Sequence, residues 1–346
     1  MIRWLLRLLA LLAILVVVLL LPVARVELLC RGEPVDEVRT PLVGQQWHRN
    51  EARTLTTYPE WHIVHAYDDY ARVIATGDPH DFGYARAIGG FWSSLCALAE
   101  KTPQHGGFTT DSKMTIYTIG VSFTLEMAMK ALYEETLGRV ATWIRGPEHS
   151  ALDRVSARQA AEYATFLQQV PWYKWDFRRD AAELRAQAQG GFRDGERRFA
   201  LGTEYRVKAA YAGVIENAVA QVGADALRLR MVLAGLGAEE LSAYEGVELI
   251  ETRPEGAVIE TPRYRELTHI LAAMAADGAR FIEIAGNDDI LFTAISDTPA
   301  EGALYSFARQ GYGDTRSLML VKVEDLAGIL RGLADKGLTL EHIHDY

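Results

Sequence analysis

The longest unbroken apolar run is at the amino terminus, where "LLALLAILVVVLLLPVA", Leu8 to Ala24, carries no charge. With Trp4, Leu5 and Leu6 added, and Arg7 able to snorkel toward headgroups, the run reaches the ~20 residues that a spanning helix needs. Residues 4–24 are expected to contact the lipid bilayer, and 1–24 form a transmembrane anchor. A cleaved secretory signal is the competing reading, since Arg3 and Arg7 make a positively charged start. Against it, the run exceeds the usual ~7 to 15 residues, and Pro22-Val23-Ala24 is a poor small-x-small cleavage site. Lipoprotein processing at Cys30 would want a small residue where Val26-Glu27-Leu28-Leu29 stands. A short basic tail before the span stays inside, although Arg25, Arg31 and Arg39 follow it. The expected topology is a single pass in the inner (cytoplasmic) membrane with the bulk of the chain extracytoplasmic, in the periplasm of a two-membrane bacterium.

Periodicity is absent over residues 25–57, where Pro34, Pro41 and mixed charge suggest a stalk. From residue 58 apolar positions recur at helical spacing. "YPEWHIVHAYDDYARVIATG" places Trp61, Val64, Tyr67 and Ala71 on one face, with Pro59 in the first turn and Gly77 and Pro79 as a stop. Further helices are predicted over about 81–101, 111–145, 150–170 and 196–222, giving an all-helical bundle domain at 58–225. Gly83, Gly89 and Gly90 in the second of these would let a neighbour approach closely. The 111–145 helix is apolar nearly all round between Met114 and Leu125, so it is buried or in lipid. Glu126 and Lys130 fall inside any long window there, and it is read as the bundle's central helix.

From Leu227 the period shortens toward two. "LRLRMVL", "VELIE", "RFIEIAG", "ILFTAIS", "ALYSFAR", "SLMLVKV" and "LTLEHIHDY" read as strands, interrupted by the helices "PRYRELTHILAAMAADG" and "EDLAGILRGLADKG". Residues 226–346 are therefore a small α+β (ferredoxin-like) domain, and the whole chain is α+β in class.

Composition is that of a folded body, with 49% hydrophobic and 24% charged residues. A net charge of -10 argues against a nucleic-acid surface, which needs a basic footprint. Cys30 and Cys96 allow at most one disulfide and no zinc cluster. The plainer expectation is two separate thiols, one beside the membrane and one in a helix core.

Candidate chemistry centres on a motif that occurs twice, Glu-x-x-x-Lys-Ala-x-Tyr, at Glu126, Lys130, Tyr133 and again at Glu204, Lys208, Tyr211. Glutamate four residues before lysine is the favourable helical order, contributing ~0.3 to 0.5 kcal/mol when exposed. Such a staple, on a duplicated hairpin, is the plainer reading. The sharper one sets both motifs face to face in a bundle interior, where buried paired groups with displaced pKa values could move protons. Glu-x-x-His, the usual ligand pattern of a bundle metal site, does not occur.

His62, His65 and Asp69 follow i, i+3, i+7 spacing and are the weak metal candidates; such groups are more often solvated or capping, and no metal or cofactor is expected. His342 and His344 share one face of the terminal strand. "VPWYKWDFRR" mixes Trp172, Tyr173, Trp175 and Phe177 with basic groups, which suits a membrane interface or a buried joint between helices. Hydrolase, protease and nucleotide motifs are missing.

"TYPEW" and the two Glu-x-x-x-Lys-Ala-x-Tyr helices resemble an uncharacterised family of bacterial single-span membrane proteins. That resemblance implies an anchor followed by a body and carries no catalytic residues. The expected function is binding or assembly in the cell envelope, with other envelope proteins as partners and no nucleic acid. The alternative is an enzyme with an acid/base site between the repeat helices.

Overall fold

A computed structural model describes residues 2–33, 40–105, 107, 110–222 and 227–345. Helix α1 spans Ile2–Leu29, as its Leu-, Val- and Ala-rich sequence demands. None of the residues in its apolar window is buried against the rest of the chain. Among the described residues it alone is long and apolar enough to cross a membrane.

The last turn of α1 enters the body. Val26 and Cys30 are buried, Glu27 accepts from Lys113 and from the Tyr117 hydroxyl, and Cys30 forms a disulfide with Cys96, their Cα atoms 5.1 Å apart. The two cysteines are thus one bridge and not two separate thiols. The helix continues past Pro22, so Cys30 reaches the body instead of ending in a loose linker. The expected stalk is folded at both of its described ends. Val43 is buried between Val232 and Val258, and the Leu42 and Val43 amides donate to the Glu283 carboxylate at 2.7 and 2.8 Å.

The helical region comprises α2 (Glu51–Thr76), α3 (Tyr84–Ala99), α4 (Thr110–Tyr133), a π turn at Glu134–Gly138, α5 (Arg139–Arg145), α6 (Ala151–Leu167), α7 (Phe177–Gln187) and α8 (Phe192–Val222). Helix α2 begins seven residues before the predicted start, which places Pro59 inside it. Its start is set by packing, since Leu55 and Tyr58 are buried against Leu291 and Leu318. Helix α6 opens on a capping box in which Ser150 and Asp153 exchange side-chain and amide bonds. Asp176 caps α7 by accepting from the Arg178 and Arg179 amides. The core is aromatic, built on Tyr67, Tyr70, Phe91, Trp92 and Phe123. Gly90 permits its close packing, because a Cβ there would lie 2.4 Å from the His62 ring.

Helix α4 departs from the expected central helix. Its inner face is buried, but Met114, Leu125, Met129 and Leu132 are exposed, and the exposed positions between them, Thr115, Thr118, Ser122 and Ala128, are uncharged. The apolar row continues through Val140 and Trp143 of α5, and Phe199, Val207 and Val214 of α8 are also exposed.

The carboxy-terminal domain holds β1 (Arg228–Ala234), α9 (Ala238–Leu241), β2 (Glu248–Arg253), β3 (Gly256–Pro262), α10 (Tyr264–Ala276), β4 (Arg280–Ile284), β5 (Asp289–Ser296), β6 (Tyr305–Ala308), β7 (Thr315–Lys322), α11 (Val323–Gly332) and β8 (Thr339–His344). Two four-stranded antiparallel sheets result, ordered β2-β3-β1-β4 and β6-β7-β5-β8. They are the same motif twice: a first strand, a hairpin, a helix, then a last strand pairing back on the first. Even the irregularities coincide, between Val232 and Leu233 where β1 meets β4, and between Thr293 and Ala294 where β5 meets β8. Both copies bury one core, with Met231, Leu233 and Phe281 from one sheet, Phe292, Ala294 and Ile343 from the other, and Leu271 and Leu326 from the helices. Strand β5 is covered on both faces, which explains the missing alternation in "ILFTAIS".

The disulfide closes a loop of 66 residues, so Cys96→Ser should cost ~2 to 4 kcal/mol of stability by raising the freedom of the unfolded chain. Thiol labelling of the unfolded protein should find no free cysteine before reduction and two after it. Labelling before reduction would contradict the bridge.

Candidate functional site

Helices α4 and α8 run antiparallel, and the two motif copies meet across them. Lys130 Nζ lies 3.0 Å from Glu204, and Lys208 Nζ lies 2.8 Å from Glu126. The pairing is reciprocal between helices; within a helix only Lys208 and Glu204 pair, at 3.1 Å. The expected Glu126–Lys130 staple is therefore replaced by cross-helix bonds, as antiparallel packing of a repeated motif brings unlike ends together. Tyr67 of α2 completes the group, donating to Glu126 at 2.5 Å and accepting from Lys208 at 3.0 Å. Lys208 also stands over the Tyr67 ring, and Lys130 over the Tyr70 ring.

The electrostatics are those of mutual saturation. Burial would raise the Glu204 carboxyl, but the Lys130 and Lys208 ammoniums outweigh it and hold it at about 2. Burial would lower Lys208, yet Glu126, Tyr67 and Glu204 push it well up. Neither group is poised to exchange protons near neutral pH. The cavity beside them is about 40 Å³, room for roughly two or three waters and no organic substrate. Tyr133 and Tyr211 do not join. Tyr133 donates to Glu196 at 2.6 Å, and Tyr211 is exposed beside Trp172.

One turn along, Arg197 is fully buried and binds Glu134 through two bonds, at 2.9 and 3.1 Å, and also Glu196. Arg193 reaches Glu196 and Asp153, and Arg145 joins Asp153 to Asp78. Glu134 opens the π turn, and a Cβ at Gly138 would fall 2.3 Å from its carboxylate, so a side chain there would push Glu134 off Arg197. Sequence reasoning missed this network because its members come from five separate segments and share no spacing.

His62, His65 and Asp69 are not solvated. They lie buried on α2 against the second sheet and belong to no group of converging ligand atoms among the described residues. Arg316 of β7, with no exposed side-chain surface, binds Glu341 through 2.5 and 2.6 Å bonds and approaches Asp69 at 4.0 Å. Asp69 accepts from the Gln310 amide, and His62 Nε2 meets the Ala87 carbonyl at 2.9 Å. Trp61 stacks on His342, ring centres 3.7 Å apart, and Tyr58 meets His344 edge-on. Burial keeps these histidines neutral, lowering His62 to about 4 and His342 to about 3, with His65 and His344 also well down. Burial raises Asp69 to about 7 despite Arg316 nearby.

The aromatic stretch packs inward. Phe177 is buried, and Trp172, Tyr173 and Trp175 are half-buried against the same helical core. Trp175 donates to Asp180 at 2.7 Å and carries Arg179 over its ring. This is a joint between helices, and the exposed apolar surface lies instead on α4, α5 and α8.

A cavity of about 550 Å³ opens where the 41–51 segment meets the Thr102–His105 turn and the β4–β5 connection. His48, Asn50, Glu51, Gln104, His105, Asn287 and Asp288 line it. Glu51, the first residue of α2, lies 3.3 Å from His105 Nδ1, and Asp289 lies next to both. No pattern in the sequence announces this group, whose members are far apart in the chain.

No family model, curated protein or solved structure matches the chain.

Removing Arg197 or its partner leaves a buried charge unpaired, so Arg197→Met or Glu134→Gln should each cost ~3 to 5 kcal/mol in denaturant melts. Losses under ~1 kcal/mol would mean the pair is solvated. The histidine seam gives a pH dependence whose sign follows from the lowered values. Unfolded histidines titrate near ~6.5 and bind more protons than the folded ones below that pH, so stability should fall as pH drops from about 6.5 toward 4. Asp69, raised to about 7, works the other way, but one carboxyl opposes four imidazoles. His342→Asn should flatten the slope by up to ~1.4 kcal/mol per pH unit. A parent profile without an acid decline would contradict neutral burial.

Proposed function

We propose that the protein is a single-span protein of the cytoplasmic membrane whose body stands outside the cytoplasm and works there by binding or assembly in the envelope. The carrying observation is the foot of α1. An apolar helix with no protein covering it needs a non-aqueous surrounding, and the disulfide that fastens its end to α3 forms and persists in an oxidising compartment. The uncharged exposed face of α4, with further exposed apolar residues on α5 and α8, supports attachment, since exposed apolar patches mark membrane or protein contact. Lys113 and Tyr117 of α4 bind Glu27 of α1, so this face starts where the span ends.

An enzyme working between the repeat helices has less in its favour, because the ion cluster is saturated and the adjoining cavity takes only water. Binding by the body is better served by the cavity beneath the 41–51 segment.

In intact spheroplasts, an epitope added after Tyr346 should be digested by external protease and protected only in inverted vesicles. Protection in spheroplasts would reverse the topology.

A further inference from the structure

The start of α2, the Thr102–His105 turn and the start of β5 bring two carboxylates and one imidazole together. One ligand atom from each of Glu51, His105 and Asp289 lies within 4.8 Å of the other two. We propose that these three residues bind a divalent first-row cation, of the zinc or manganese kind, leaving a coordination position open to the 550 Å³ cavity.

Two observations carry the assignment. The Glu51 side chain is nine-tenths buried, and no hydrogen-bond donor reaches its Oε1, while Oε2 faces His105 Nδ1. A buried carboxylate oxygen without a partner is costly, and a cation at the centre of the triad would satisfy it. Carboxylates gather here: Asp288 and Asp289 stand beside Glu51, with the Lys322 ammonium 2.8 Å from Asp289 and 3.3 Å from Asp288.

The donor set then selects the metal. An imidazole favours zinc, iron or nickel over calcium or magnesium, carboxylates favour harder ions, and the absence of thiolate disfavours copper(I). Three protein ligands with one free position is the arrangement of sites that bind an exchangeable water or a small ligand. Here the free position faces neutral polar groups, Asn50, Gln104 and Asn287. His105 and Glu51 belong to the helical region and Asp289 to the second sheet, so the ion would also clamp one to the other.

This site is independent of membrane orientation, and its test needs neither a partner nor an activity. Full-length protein in detergent, stripped with chelator, is titrated with zinc chloride and manganese chloride by calorimetry and differential scanning melts. One equivalent should bind to the parent and raise its melting temperature. Glu51→Gln, Asp289→Asn and His105→Asn should each weaken binding by at least about tenfold. Asp81→Asn, in the exposed acidic group beside His80, should leave binding unchanged. Cobalt substitution supplies a readout that folding alone does not move: a visible absorption band in the parent that shifts in His105→Asn. Variants are compared only where their metal-free melting matches the parent's, and Asp289→Glu serves as the conservative backup, expected to retain binding. No binding by the parent, or equal affinity in a well-folded Glu51→Gln, overturns the site.

Discussion

Ionisable groups withdrawn from water must find partners of opposite charge, and the helical body is organised around that requirement. Glu126, Lys130, Glu204 and Lys208 sit between α4 and α8, their side chains 13 to 31% exposed, and each would be costly alone. Because each lysine takes the other helix's glutamate, the pairs specify antiparallel packing and its register together. A slip of one helical turn would set like charges opposite each other. Tyr67 then ties α2 to the pair, and α2 carries the His62–His65–Asp69 face that meets the second sheet. The Arg197–Glu134 pair extends the same logic to the π turn.

Features governed by local chemistry were legible in the sequence. The apolar content of α1, the helical spacing through the body and the change of period near Leu227 follow from nearest-neighbour patterns, and the α+β class emerged from them. The two-sheet duplication did not, since what repeats is strand order and bulge position, while β1 and β5 share little sequence. The Cys30–Cys96 bridge depended on α1 running past Pro22 into the core. The motif's four charged residues were found from spacing alone, but their partners required the helix direction. Tyr133 and Tyr211 belong to the repeated pattern yet point elsewhere, so repetition signalled packing more reliably than it signalled chemistry. His62, His65 and Asp69 looked polar and therefore solvated; the sheet that covers them begins more than two hundred residues later.

These constraints assign different tasks to different parts of the chain. Saturated ion pairs hold the helices, with a cavity of only about 40 Å³ beside them, and neutral histidines and Arg316 line the seam to the sheets. Two open features are the uncharged apolar face of α4 beside the foot of α1 and a polar cavity at the start of α2. The proposed anchored body, binding through its cavity, would use both.

The central claim is that the repeated motif acts across helices and not along them. Double-mutant cycles on Glu126 with Lys208, and on Glu126 with Lys130, test it directly through equilibrium unfolding. The account predicts coupling above ~1 kcal/mol for Glu126 with Lys208, and no more than the ~0.3 to 0.5 kcal/mol of a helical pair for Glu126 with Lys130. The reverse order, with the larger coupling inside α4, would contradict it.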